Sequence, residues 1–203
     1  MQCINIFAIF IKENTVPMKT TLRTIFISAL CTLLAFSATT YSSCKGDKCK
    51  SLNCAYGGIC HDGLCVCQSG YEGTLCESVT RDKFLGAWSV NETGTMTNIP
   101  ASYTISITKT GIITDVNIHN FYNIITEDVY GFVHGDSLII GQQHHNGRKI
   151  EGYGVLDHDS HYAGKIKLTM HYAVTIDSSL IIDDYGLHPE MHGTPSSWLL
   201  TSN

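Results

Sequence analysis

The sequence predicts a mainly β protein, a small cysteine-stapled module followed by about eight antiparallel strands in a barrel or a sandwich. Three observations predict it. The cysteines crowd into the stretch 49–76, and none follows Cys76. Downstream, apolar and polar residues alternate with a period of two in one segment after another, with turn-forming residues between them. No stretch shows convincing helical periodicity.

The totals narrow the class. The chain has 203 residues and a formal net charge of −5, without a basic stripe, so no nucleic-acid partner is expected. A hydrophobic share of 43% suits a packed core rather than a disordered chain. Nine cysteines point to an oxidising compartment, where disulfides persist.

The N-terminus carries the matching export signal. Lys19 and Arg23 precede an apolar run at 24–36, TIFISALCTLLAF, and small and polar residues then lead to Cys44. This is the order of a signal peptide. The run is short of the roughly 20 residues that cross a bilayer, which weighs against the alternative of a membrane anchor. A second apolar patch at 1–17 has no purpose ahead of a complete signal, so the leader 1–43 is expected to start at Met18 rather than Met1. Cys44 follows Ser42 and Ser43 and resembles a bacterial lipobox cysteine, although Tyr41 stands where that family prefers Leu. The resemblance implies lipidation of Cys44 as the mature N-terminus. The KGDK stretch at 45–48 resembles the charged signals of surface lipoproteins, making 44–48 a lipid-anchor linker. Cysteine arithmetic agrees. Without Cys3 and Cys31 seven remain, an odd number, and a thioether at Cys44 accounts for the one left over. The alternative is a free or intermolecular thiol.

Residues 49–77 form the module. Its cysteines are spaced C-x4-C-x5-C-x4-C-x-C-x8-C, and spacing alone allows about 15 connectivities. The pieces YGGIC, Cys65-Val66-Cys67 and CQSGYEGTLC, with Gly70, Tyr71 and Gly73 in place, resemble the EGF-like domain family. That resemblance implies the pairs Cys49–Cys60, Cys54–Cys65 and Cys67–Cys76. Crosslinks are needed because so short a segment cannot bury enough apolar area to offset its chain entropy. Each contributes about 2–4 kcal/mol, mainly by restricting the unfolded chain. Asp47 and Asp62 do not make a calcium site, so no calcium is expected. The module reads as a spacer or an adhesive unit.

Residues 80–203 form the second domain, with the strand pattern of a barrel or a sandwich. In YTISIT at 103–108, Tyr103, Ile105 and Ile107 share one face. In KIKLTMHYAVT at 165–175, Ile166, Leu168, Met170, Tyr172 and Val174 share a face, with Lys165, Lys167, Thr169, His171 and Thr175 opposite. Further strands are expected near 84–92, 113–120, 127–134, 137–143, 149–156 and 196–201. Gly86-Ala87-Trp88 resembles the G-x-W motif that opens lipocalin-like barrels. The resemblance implies an antiparallel β-barrel of about eight strands in which Trp88 packs across a closed end, joined by Phe84. The basic residue that often covers this Trp from the last strand is absent, since the last Arg is Arg148 and the last Lys is Lys167. The segment 176–195 is too long for a simple connection and reads as a lid, an extra short strand or a disordered loop.

Chemistry is sparse. There is no nucleophile elbow, phosphate-binding loop, paired-carboxylate motif or cysteine metal site. All ten histidines follow the leader. The weak metal candidates are His144, His145, Asp157, His158 and His161, with Asp159, His188 and His192 beside them, and ordinary polar turn chemistry competes for each. Asn91-Glu92-Thr93 is a glycosylation sequon in form. No metal and no cofactor is expected. The expectation is therefore a non-enzymatic lipoprotein at the outer membrane or cell surface, or else a secreted protein. The membrane is its partner through the lipid anchor. The barrel would take a small apolar molecule or a protein or glycan partner. The alternatives are a structural or adhesive surface protein without a ligand, and a His/Asp hydrolase.

Overall fold

A computed structural model describes residues 48–157 and 166–202, all within one compact unit that spans 48–203. The protein is mainly β, and a disulfide-rich segment precedes a closed antiparallel barrel of eight strands. The leader, Cys44, His158, Asp159 and His161 lie outside the described residues.

Two small ribbons precede the barrel. Strands β1 (Ile59–His61) and β2 (Leu64–Val66) form a hairpin, and β3 (Tyr71–Glu72) pairs with β4 (Ser78–Val79). Disulfides join Cys49 to Cys60, Cys54 to Cys65 and Cys67 to Cys76, the same pairs the EGF-like resemblance implies. They place the chain in an oxidising, exported environment.

The barrel strands are β5 (Gly86–Glu92), β6 (Ala101–Lys109), β7 (Asp115–His119), β8 (Val129–His134), β9 (Ser137–His145), β10 (Arg148–Asp157), β11 (Lys167–Ile176) and β13 (Ser196–Ser202). Neighbours in sequence pair from β5 through to β11, and β13 closes the ring between β11 and β5. Each lies where the alternation placed a strand. The segment 176–195 supplies the ninth strand, β12 (Ile181–Tyr185). One edge of β11 is paired along its length with β10, and the other is divided. Lys167–Met170 pairs with β13, and Ala173–Ile176 pairs with β12.

Alternation fixes the faces. Trp88, Val90, Ile105, Ile107, Val116, Ile118, Leu138, Ile140, Leu168, Met170 and Tyr172 point inward and are buried in one core. Ala173 and Thr175, on the other face of β11, are also buried, in the half that meets β12. Turn chemistry fixes the register. Asn146 and Gly147 both take positive φ between β9 and β10, the two-residue turn whose twist matches the flanking strands. Gly152 serves a different need, because a Cβ there would lie 2.5 Å from the Tyr172 Cβ and from the His171 carbonyl oxygen. A bare backbone on β10 is what lets β11 pass so close.

The closed end is made by the 3₁₀ turn Thr80–Phe84 leading into β5. Phe84 and Trp88 are fully buried, and the Trp88 indole N–H donates to the Phe84 carbonyl at 2.9 Å. The same turn joins the module to the barrel. The Thr80 N–H donates to the Gly70 carbonyl at 2.9 Å. The buried Arg81 guanidinium donates to the carbonyls of Thr110, Ile112 and Asp115. Lys83 lies 2.8 Å from Glu72 on the module and 2.6 Å from Asp136 on the barrel.

Candidate functional site

The opposite end holds the concentration of buried polar groups. Glu92 closes the inward series Trp88, Val90, Glu92 on β5, so strand alternation drives a carboxylate into the barrel mouth. Its Oε1 accepts from the Tyr103 hydroxyl at 2.6 Å. Its Oε2 accepts from Tyr172 at 2.7 Å and from Ser196 at 2.6 Å, and Ser196 in turn accepts the Trp198 indole N–H at 2.8 Å. A second carboxylate, Asp183 on β12, accepts from Tyr122 at 2.8 Å, from Tyr185 at 3.0 Å and from the Met96 N–H at 2.8 Å. The Tyr172 and Tyr185 rings stack at 4.4 Å, which joins the two groups into one cluster. Hydroxyls and a backbone N–H therefore satisfy these buried carboxylates, as low-dielectric surroundings require.

The electrostatics follow from burial. Glu92 titrates above its ordinary value because burial disfavours its charged form. The three hydroxyl donors work against that shift, and the charge of Asp183 adds to it. Burial also raises Tyr103, Tyr122, Tyr172 and Tyr185, and the nearby carboxylates push the same way, so these phenols stay protonated and keep donating.

A short 3₁₀ turn, Phe121–Asn123, caps the mouth. Phe121 points into the core, edge-on to Tyr172 at 4.8 Å and to Trp198 at 6.0 Å. Tyr122 has φ 57°, a left-handed conformation that costs an ordinary residue about 1–2 kcal/mol. Its hydrogen bond to Asp183 and its edge contact with Tyr185 hold it there. Tyr103, Tyr122 and Tyr185 of the cluster, with Ile99, Pro100 and Ile124, help line a recess of about 250 Å³ that reaches Glu92. A second recess of about 340 Å³ shares Glu92, Pro100 and Ala101 and extends to Thr194 and Pro195. Asn91 of the sequon is exposed on the outer face of β5.

The described histidines are dispersed. His144 lies 3.3 Å from Asp177, and His145 is buried between Glu127 at 2.9 Å and Gln143 at 2.8 Å. His188 contacts the buried Asp184 at 2.7 Å, and His192 follows the turn Pro189–Met191. Asp157 ends β10. No group of three or more His, Cys, Asp or Glu side chains able to hold a metal occurs among the described residues. On the outer wall, a different grouping places Thr108 Oγ1 2.7 Å from His119 Nε2, and His119 Nδ1 2.5 Å from Asp128. Asn117 donates to the other Asp128 oxygen at 3.2 Å.

The sequence reading missed Glu92, Asp183 and their tyrosines. For Glu92 a signal was present, since a carboxylate standing in phase with Trp88 and Val90 occupies a core position. No known family model matches the chain.

Proposed function

We propose that this is an exported, surface-anchored lipoprotein whose barrel binds a small, partly apolar ligand at its mouth, without catalysis. The EGF-like reading of 49–77 is supported by the disulfide pairing, and the lipocalin-like reading of 80–203 by Gly86-x-Trp88 at the closed end of an eight-stranded ring. The observation that carries the binding reading is the recess at the mouth, where tyrosine rings and exposed Ile99 and Ile124 surround a route to Glu92. Large side chains occupy the barrel centre, Trp88, Trp198, Tyr172 and Phe121 among them, which favours a small ligand at the mouth over one in the interior. The test is a thermal-shift screen with fatty acids, sterols and glycans. A ligand at about 100 times its Kd should add roughly 2.7 kcal/mol of stability. Ile99→Ser with Ile124→Ser, both exposed, should abolish the shift and spare the fold. Shifts that survive this variant would move the site elsewhere.

A second reading, a hydrolase, is favoured by one specific observation. Thr108, His119 and Asp128 form a hydroxyl, imidazole and carboxylate series of the kind that activates a nucleophile. Ester turnover that disappears in His119→Ala would establish it in place of the binding reading.

A further inference from the structure

The β1–β2 hairpin has one face that no described residue covers. Ile59 pairs directly with Val66, and His61 with Leu64, so these four side chains share a face. Cys60 and Cys65, paired with each other across the ribbon, turn the opposite way to their disulfides with Cys49 and Cys54. Ile59 is 72% exposed, Leu64 74% and Val66 59%. Single exposed apolar residues are ordinary, but three at adjoining positions on a ribbon this small make a patch. Packing inside the module cannot bury them, because the disulfides occupy its interior side.

The position of this face along the chain says what covers it. Four residues separate Cys44 from Cys49, a reach of at most roughly 17 Å even when fully extended. Cys49 is bonded to Cys60, which lies between Ile59 and His61. The side chain of Lys48 lies along the hairpin turn, 3.0 Å from where a Gly63 Cβ would stand, and Lys50 is exposed beside it. Asp62 is the acidic group at the same turn, 3.6 Å from His61. An apolar face flanked by cations suits an anionic lipid surface, where the apolar groups enter the acyl boundary and lysines meet the headgroups.

We propose that the outward face of the β1–β2 hairpin inserts into the surface of the bilayer that carries Cys44. The module then acts as a membrane-docking tip that fixes the barrel's height and orientation. The inference rests on the lipoprotein reading, and the experiment separates the two. The chain from Cys44 onward, carrying Leu64→Trp, is coupled through the Cys44 thiol to a maleimide lipid. The vesicles are of phosphatidylethanolamine and phosphatidylglycerol, with or without brominated acyl chains. Trp88 and Trp198 are fully buried and supply a constant background. The expected result is loss of most emission from the introduced indole in brominated vesicles, restored when Ile59→Ser and Val66→Ser are added. Equal emission in both kinds of vesicle overturns the inference and leaves the face to a protein partner. Quenching that the serines leave unchanged also overturns it, because the apolar face would not be the driver. The coupling is chemical, so neither result depends on acylation in the cell. A mass spectrum of the native mature N-terminus tests acylation separately.

Discussion

Replacing Trp88 with alanine tests the barrel's construction most directly. The indole is fully buried and lies in the same core as Phe84, Ile105 and Ile107. Truncating a buried Trp costs about 3–5 kcal/mol in lost transfer energy and cavity. The Phe84 carbonyl also loses its 2.9 Å donor, and an unsatisfied buried acceptor costs about 1–3 kcal/mol. Together these approach the roughly 5–15 kcal/mol that holds a whole domain. At about 2–4 °C per kcal/mol for a chain of this size, Trp88→Ala should lower Tm by about 8–32 °C or leave the barrel unfolded at room temperature. Trp88→Phe keeps most of the ring and loses the donor, so it should cost several kcal/mol less. The assay is thermal and urea unfolding followed by near-ultraviolet circular dichroism with the disulfides intact. A loss below about 1 kcal/mol for the alanine variant would mean that the site collapses freely, and the view of Trp88 as the closing plug would be wrong.

The other predictions concern charge, crosslinks, lipid and metal. Glu92 has a raised pKa in the fold, so the folded state binds its proton more tightly than the unfolded chain does. Wild-type stability should therefore fall as pH rises from the ordinary glutamate value through the raised one, and Glu92→Gln should remove that part of the slope. Parallel pH profiles for the two proteins would contradict the assignment. Cys67→Ala opens a crosslink with a sequence separation of 9 and should cost the module about 2–3 kcal/mol while the barrel keeps its strands, as read by hydrogen exchange. Exchange rising equally throughout the barrel would show a single cooperative unit. Cys44→Ser should release the protein into the soluble fraction, and a membrane-bound, normally processed variant would refute lipidation. Chelator should leave Tm unchanged, and exposed His144→Ala should shift stability by less than about 0.5 kcal/mol. A large drop with chelator would restore a metal role for the histidines.

The sequence by itself determined where the strands of the barrel lie along the chain. Period-two alternation depends only on which side chains avoid water, and it read correctly in Ile105 and Ile107 and in Leu168 through Val174, whatever the partner strand. The special turns were equally local, because Asn146-Gly147 carries its own φ preference. The stapled segment was legible from its cysteine spacing and glycines. The tertiary structure decided what had to be closed through space. That β12 takes half of an edge of β11 depends on the length of β11 and on where β13 begins, which no local pattern records. The mouth cluster is of the same kind. Glu92, Tyr172 and Ser196 are far apart in sequence and meet only because three strands converge there. A buried carboxylate looks like an error in the pattern of β5 until the hydroxyls that satisfy it arrive from β6, β11 and β13.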